Sequence, residues 1–173
     1  MAIQKPEPGE YAGNYQRYID LVPVNDLQKA LEDQLESFQQ FIVSLSNDEL
    51  QLRYAPGKWS IAELVLHCID TERIYMFRML NFARQGLLDI PGFDQDVFAQ
   101  NSHAHTRTAA SLADEFAAVR KSTLAFVRSL TPEDAVKQGK ANNYLMSVRT
   151  LGFVAYGHID HHQHIALTKY LNR

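Results

Sequence analysis

Leu27, Leu31, Leu35, Phe38 and Ile42 follow one another at spacings of three and four. That is the period of one helix face, so a first amphipathic helix is predicted from about Asn25 to Ser44, with Asn25 as its N-cap. A second is predicted after Pro56-Gly57-Lys58-Trp59. There Ser60 and Glu63 have the capping-box spacing, in which hydroxyl and carboxylate each satisfy an orphan backbone N–H. This segment runs to Gly86, a natural C-cap. A third apolar stripe, Leu112, Phe116, Val119, Leu124 and Val127, predicts a helix from about Ser111 to Leu130, ended by Thr131-Pro132. The fourth is predicted from about Ser147 to the C-terminus, and it contains Gly152 and Gly157, where small residues let a neighbour approach closely. No segment sustains the alternation of a half-buried strand. The expected fold class is therefore all-α, and four helices of this length pack most naturally as an antiparallel bundle.

Two segments fall outside this pattern. Residues 1–23 hold three of the six prolines and two of the eight glycines, and are read as an extended arm on the bundle that occupies residues 24–173. Tyr11, Tyr15 and Tyr18 are the residues expected to pin it. A long connection from about Leu87 to Arg107 carries Pro91, Gly92, Asp94, Asp96, His103 and His105. Connections of this length are usually functional or mobile.

Composition narrows the function classes. The 173 residues are 46% hydrophobic and 21% charged, with a formal net charge of −3. An acidic chain without a basic, aromatic-studded helix face is not expected to bind nucleic acid. No apolar run approaches the roughly 18 residues of a membrane span, and the N-terminal segment lacks the apolar core of a secretory signal. The single cysteine, Cys68, permits no internal disulfide and is read as a buried, inert thiol in a cytoplasmic protein.

The histidines are the candidate chemistry. Four of the seven, His158, His161, His162 and His164, fall within seven residues of the last helix. Residues at i and i+4 lie on one face. His158 and His162 have that spacing and share the face of Leu151, Val154 and Ile165. The competing pair is His161/His164, of which His164 projects from the opposite side. A third inward-facing histidine is His67, on the stripe Leu64, His67, Thr71 and Ile74. Three neutral imidazoles suit zinc, nickel, copper or iron rather than magnesium or calcium. Three protein ligands leave a coordination position open, the pattern of catalytic zinc. Glu63 and Asp70 are the candidates to hold the second N–H of His67, and Asp70 and Glu72 are expected at the rim. The competing readings are a hydrogen-bonded core histidine at 67 and a solvated helix with incidental histidines. Trp59 and Tyr75 are read as core, and His103 and His105 as loop surface or, alternatively, a lid. Arg73 and Arg78 are expected to form surface salt bridges, with the carboxylate of an anionic thiol as the alternative partner.

Two segments carry a resemblance. Residues 57–72, from Gly57-Lys58-Trp59-Ser60 through His67 to Glu72, and residues 157–165, Gly157-His158-Ile159-Asp160-His161-His162-Gln163-His164-Ile165, resemble the two motifs of the DinB-like superfamily, which includes the YfiT-type bacillithiol transferases. The resemblance implies a four-helix bundle of up-down-down-up arrangement, often a homodimer. It also implies a metal triad of one histidine from the second helix and an i,i+4 pair from the last, which maps onto His67, His158 and His162. It implies nickel, zinc or iron as the metal. The activity implied is a metal-dependent thiol S-transfer to a small-molecule substrate, with a low-molecular-weight thiol as co-substrate, or a hydrolysis, the metal activating a thiol or water. The alternative is a non-catalytic, dimeric metal-binding stress-response bundle.

Overall fold

The computed structural model describes residues 2–86 and 89–173. Met1, and Leu87 and Leu88 at the start of the expected connection, lie outside the described residues. In chain order the elements are α1 (Gln16–Asp20), α2 (Leu27–Val43), α3 (Asn47–Gln51), α4 (Ile61–Gln85), β1 (Asp89–Ile90), α5 (Gln95–Asn101), α6 (Ala109–Arg128), α7 (Pro132–Val136), β2 (Gln138–Ala141), β3 (Tyr144–Ser147) and α8 (Val148–Ile165). A π-helical turn, Ala166–Tyr170, continues α8. Among the described residues, no helix is long and apolar enough to cross a membrane.

The four long helices α2, α4, α6 and α8 form the bundle. The most extensive packing is α4 on α8 and α2 on α6, closed by α4 on α6 and α2 on α8. The predicted stripe of α2 is inside: Leu27, Leu31, Phe38 and Ile42 are all 0% exposed. Burying such side chains contributes about 1.5–3 kcal/mol each before conformational entropy is subtracted.

Helix starts follow local chemistry. Ser60 Oγ accepts from Glu63 N at 3.2 Å while Ser60 N donates to the Glu63 carboxylate at 2.6 Å, the reciprocal box read from the sequence. The cap of α2 is Asp26, not Asn25: Asp26 Oδ1 accepts from Gln28 N at 3.0 Å, whereas Asn25 Oδ1 accepts from Lys5 N in the arm at 2.7 Å. Thr108 caps α6 and Ser147 caps α8.

Two features depart from the expectation. First, the arm is partly helical through α1, which packs on α8. Gly157 makes that packing possible, since a Cβ there would stand 2.0 Å from the Tyr18 carbonyl oxygen. Second, a short three-stranded sheet in the order β1-β2-β3 sits beside the helices. β2 and β3 are antiparallel and turn at Asn142 and Asn143, both with positive φ (52° and 66°). Two left-handed residues make the twist that a tight hairpin needs, and asparagine tolerates that region. β1 joins β2 in parallel, inside the connection that the sequence left without structure.

The apolar core has two parts. One surrounds Leu27, Leu31, Met79 and Leu124, the other Phe38, Ile69, Phe116 and Ile159. On every long helix a polar group separates them. Arg120 of α6 donates to both oxygens of Glu72 on α4 at 2.8 and 2.9 Å, to Leu31 O at 3.1 Å and to Gln34 Oε1 at 3.0 Å on α2. Gln34 Nε2 donates onward to Tyr156 O on α8 at 3.0 Å. Glu72 is therefore not at a rim but at the centre of the bundle, 1% exposed.

Candidate metal centre

The principal packing contact, α4 on α8, carries the histidines. His67 Nε2 lies 3.1 Å from His158 Nε2, and His162 Nε2 lies 3.2 Å from the same atom. The three residues offer ligand atoms that all lie within 4.8 Å of one another. Zinc–imidazole bonds of about 2.0–2.1 Å put neighbouring ligand nitrogens about 3 Å apart, so this spacing fits one small transition-metal ion. The donor set fits as well. Burial lowers the pKa of His67 to about 4 and that of His162 to about 3, and it holds His158 well below the usual imidazole value. All three rings are thus neutral at pH 7 and can present lone pairs. Three lone pairs packed this closely repel one another unless a cation or a shared proton lies among them.

Neighbouring groups fix the rings. Thr71 Oγ1 lies 3.4 Å from His67 Nδ1, one helical turn on. This hydroxyl can accept a proton carried on Nδ1, and in that tautomer Nε2 is bare. Neither Glu63 nor Asp70 takes this role. The Glu63 carboxylate is engaged by Ser60 N and Arg53, and Asp70 pairs with Arg73 at 2.9 Å. Trp59 packs its ring 4.8 Å from that of His67, and Tyr170 Oη donates to Trp59 O at 2.8 Å, so the π turn after α8 clamps the loop before α4. Tyr75 and Tyr18 stand edge-on to His158 at 5.9 and 5.8 Å. His162 Nδ1 is buried without a hydrogen-bond partner.

The centre lies between two cavities. His162 faces one of about 640 Å³, lined by Trp59, Glu63, Asp96 and Tyr170 among others. His67 and His158 face one of about 680 Å³, lined also by Tyr15, Tyr75, Arg78, Asp94 and Asn142. Gln95 reaches both. The centre is therefore accessible from either side, as an open coordination site requires.

The competing histidines go elsewhere. His164 is exposed, and His161 sits against Tyr18 with ring centroids 5.7 Å apart, beside the seam. His103 and His105 are exposed and outside both cavity linings. Asp94 and Asp96 do reach the cavities, but Asp94 Oδ1 also caps α5, accepting from Asp96 N and Val97 N at 2.9 and 3.1 Å. Cys68 is buried, with its thiol pKa raised by desolvation. Arg73 makes the expected surface pairs, with Asp70 and Glu115. Arg78 does not, because it is buried at 4% exposure. Sequence reasoning gave Thr71 and Asn142 no part in the site, assigned Tyr18 only to pinning the arm, and read Trp59 and Tyr75 as core. Only Thr71 had a signal, its position one turn after His67 on the inward stripe.

The DinB superfamily model matches residues 30–166, a span that contains all three histidines. The chain belongs to the DinB superfamily. A solved relative in fold is YfiT from Bacillus subtilis, described as a probable metal-dependent hydrolase with an unusual four-helix bundle topology. It is 14% identical, with a TM-score of 0.72 over 98% of this chain and 92% of that one. At that identity the likeness speaks for the fold. No curated protein matches the sequence. For this DinB-superfamily chain, the bundle and the three-histidine cluster are thus observed together, one as the family's fold and the other as its own geometry.

Proposed function

We propose that this protein is a metal-dependent enzyme in which His67, His158 and His162 hold a divalent transition metal, nickel or zinc foremost and iron next. The observation that carries this reading is the convergence of three neutral Nε2 atoms between two cavities. A metal bound there would lower the pKa of water or a thiol and supply a nucleophile at neutral pH. The protein's own residues do the rest. Thr71 Oγ1 stands where it can accept the Nδ1 proton of His67, the tautomer in which Nε2 would be free for a metal. Trp59, Tyr18 and Tyr75 pack against the imidazole rings, and the burial of those rings keeps them neutral. Asp94, Asp96 and Gln95 of the α4–α6 connection line the substrate approaches, where a carboxylate can accept a proton from the nucleophile.

Thiol transfer is the reaction we favour, with a low-molecular-weight thiol as nucleophile and an electrophilic small molecule as acceptor; hydrolysis differs only in using water. Elemental analysis of untagged protein, followed by parallel assays of thiol-adduct formation and ester or amide hydrolysis, tests this. Metal at one equivalent per chain with turnover in either assay supports the enzyme. Bound metal without turnover across common thiols and esters favours a non-catalytic metal-binding bundle. One observation favours a homodimer: Phe77 and Leu80 of α4 are 54% and 40% exposed on a shallow apolar groove shared with α6. Sedimentation equilibrium decides that point.

A further inference from the structure

The bundle buries two arginines near α4 and treats them differently. Arg120 is saturated by a carboxylate, an amide and a carbonyl. Arg78 is 4% exposed, yet its Nε has no hydrogen-bond partner and Nη2 makes only a long contact, 3.4 Å, to Pro91 O. Among the described residues no carboxylate pairs with it. Its Nε is orphaned in the interior while the rest of the guanidinium faces a cavity, so its N–H groups are free to take a partner from outside the chain.

The surroundings say what. Arg78 follows His67 by eleven residues on α4, a net turn of about 20° and a rise of about 16 Å, so both residues face one side. They line the same cavity of about 680 Å³. Side chains on a helix lean toward its N-terminus, which aims Arg78 back along the cavity toward the triad. Arg17 adds a second cation to the lining, also without a carboxylate partner among the described residues. Asp94 is the one carboxylate in that lining, and its Oδ1 already accepts two backbone N–H groups. The Tyr15 and Tyr75 phenols also line it, and a phenol is a hydrogen-bond donor at neutral pH. The cavity therefore has a histidine end, at His67 and His158, and a cationic, donor-rich end.

We infer that Arg78 forms an oxyanion-binding subsite, taking the carboxylate or phosphate of a substrate or thiol co-substrate whose reactive end reaches the His67, His158 and His162 centre. The planar guanidinium matches either oxyanion through two N–H groups. This inference rests on the metal-enzyme reading for its reactive end, but the anion subsite itself does not need the metal.

Two arms test it on the full chain. In the first, the metal-free, 15N-labelled protein is titrated with inorganic phosphate and separately with glutarate. The Arg78 Nε–H resonance, assigned by its loss in Arg78→Gln, is followed. A saturable shift supports the subsite, and the tighter of the two anions names the source chemistry. No shift with either anion, well into the millimolar range, overturns it. In the second arm, cobalt-loaded protein reports thiolate binding by its absorption band. A series of ω-mercaptocarboxylates is compared with neutral mercaptoalcohols of equal length. At the right length the carboxylate binds at least about tenfold tighter, the 1.4 kcal/mol that one charge-assisted hydrogen bond supplies. Arg78→Gln removes that preference while leaving the alcohol unchanged, and Arg78→Lys restores part of it. A preference that survives Arg78→Gln overturns the assignment. Failure to bind cobalt refutes the metal reading and leaves the first arm to judge the subsite.

Discussion

Glu72 and Arg120 meet through two hydrogen bonds of 2.8 and 2.9 Å, with 1% and 0% of their side chains exposed. They tie α4 to α6 at the level where the two halves of the apolar core abut. Gln34 extends the tie to α2 and, through Tyr156 O, to α8. Glu72 follows Thr71 directly in the chain, so this layer also holds the helix that carries His67.

Breaking that pair by one partner leaves a buried, uncompensated charge. Glu72→Gln is expected to lower unfolding stability by about 3–5 kcal/mol. Urea unfolding measures it, and a loss below about 1 kcal/mol would mean that water reaches Arg120.

His162→Ala removes one of three ligands and is expected to abolish stoichiometric metal binding. His164→Ala, on the exposed side of the same turn, is expected to leave it intact. Metal content after dialysis checks both, and full occupancy in His162→Ala would refute the triad.

Thr71→Val deletes the hydroxyl beside His67 Nδ1 while keeping the side-chain shape. Removing such a partner weakens metal binding by about 10–100-fold. Competition with a chelating indicator reads the change. Equal affinity would show that ring packing alone orients His67.

Gly157→Ala and Gly152→Ala are expected to differ. At Gly157 the new Cβ meets the backbone carbonyl of Tyr18, so the arm must move. At Gly152 it meets a Leu27 methyl group 2.4 Å away, which a rotamer change can relieve. Overpacking of this kind costs about 1–3 kcal/mol. Only Gly157→Ala is expected also to speed amide exchange in α1.

Acid is expected to loosen the arm. Burial raises the Glu10 carboxyl pKa, but hydrogen bonds from Arg149, Ser147 and the Glu7 backbone outweigh it and hold the group below 4.5. The folded state therefore binds fewer protons than the unfolded chain in that range. The stabilisation is complete above about pH 4.5, and it is lost as pH falls through the lowered value. Amide exchange at Ser147, which donates to Glu10 O, follows the change, and Glu10→Gln should flatten the pH dependence.

The long helices and the face of each histidine were legible in the chain because both are local. Spacing of three and four residues sets a helix face wherever that helix lies, and Ser60-Glu63 forms its box within one turn. The same locality separated His158 and His162 from His164. The hairpin was less legible: strands of four residues are too short for alternation to register, and its one cue was the pair Asn142-Asn143.

What only the tertiary structure decided was each meeting between distant residues. His67 and His158 are 91 positions apart, and Glu72 and Arg120 are 48 apart. The sequence made Arg78 a surface cation, because burying an unpaired guanidinium is the costlier state of an isolated helix. The packing of α4 against the arm and the β2–β3 turn buried it anyway, in the lining of the cavity that His67 and His158 also face. Helical period determines which way a side chain faces. What stands opposite it depends on how the helices pack.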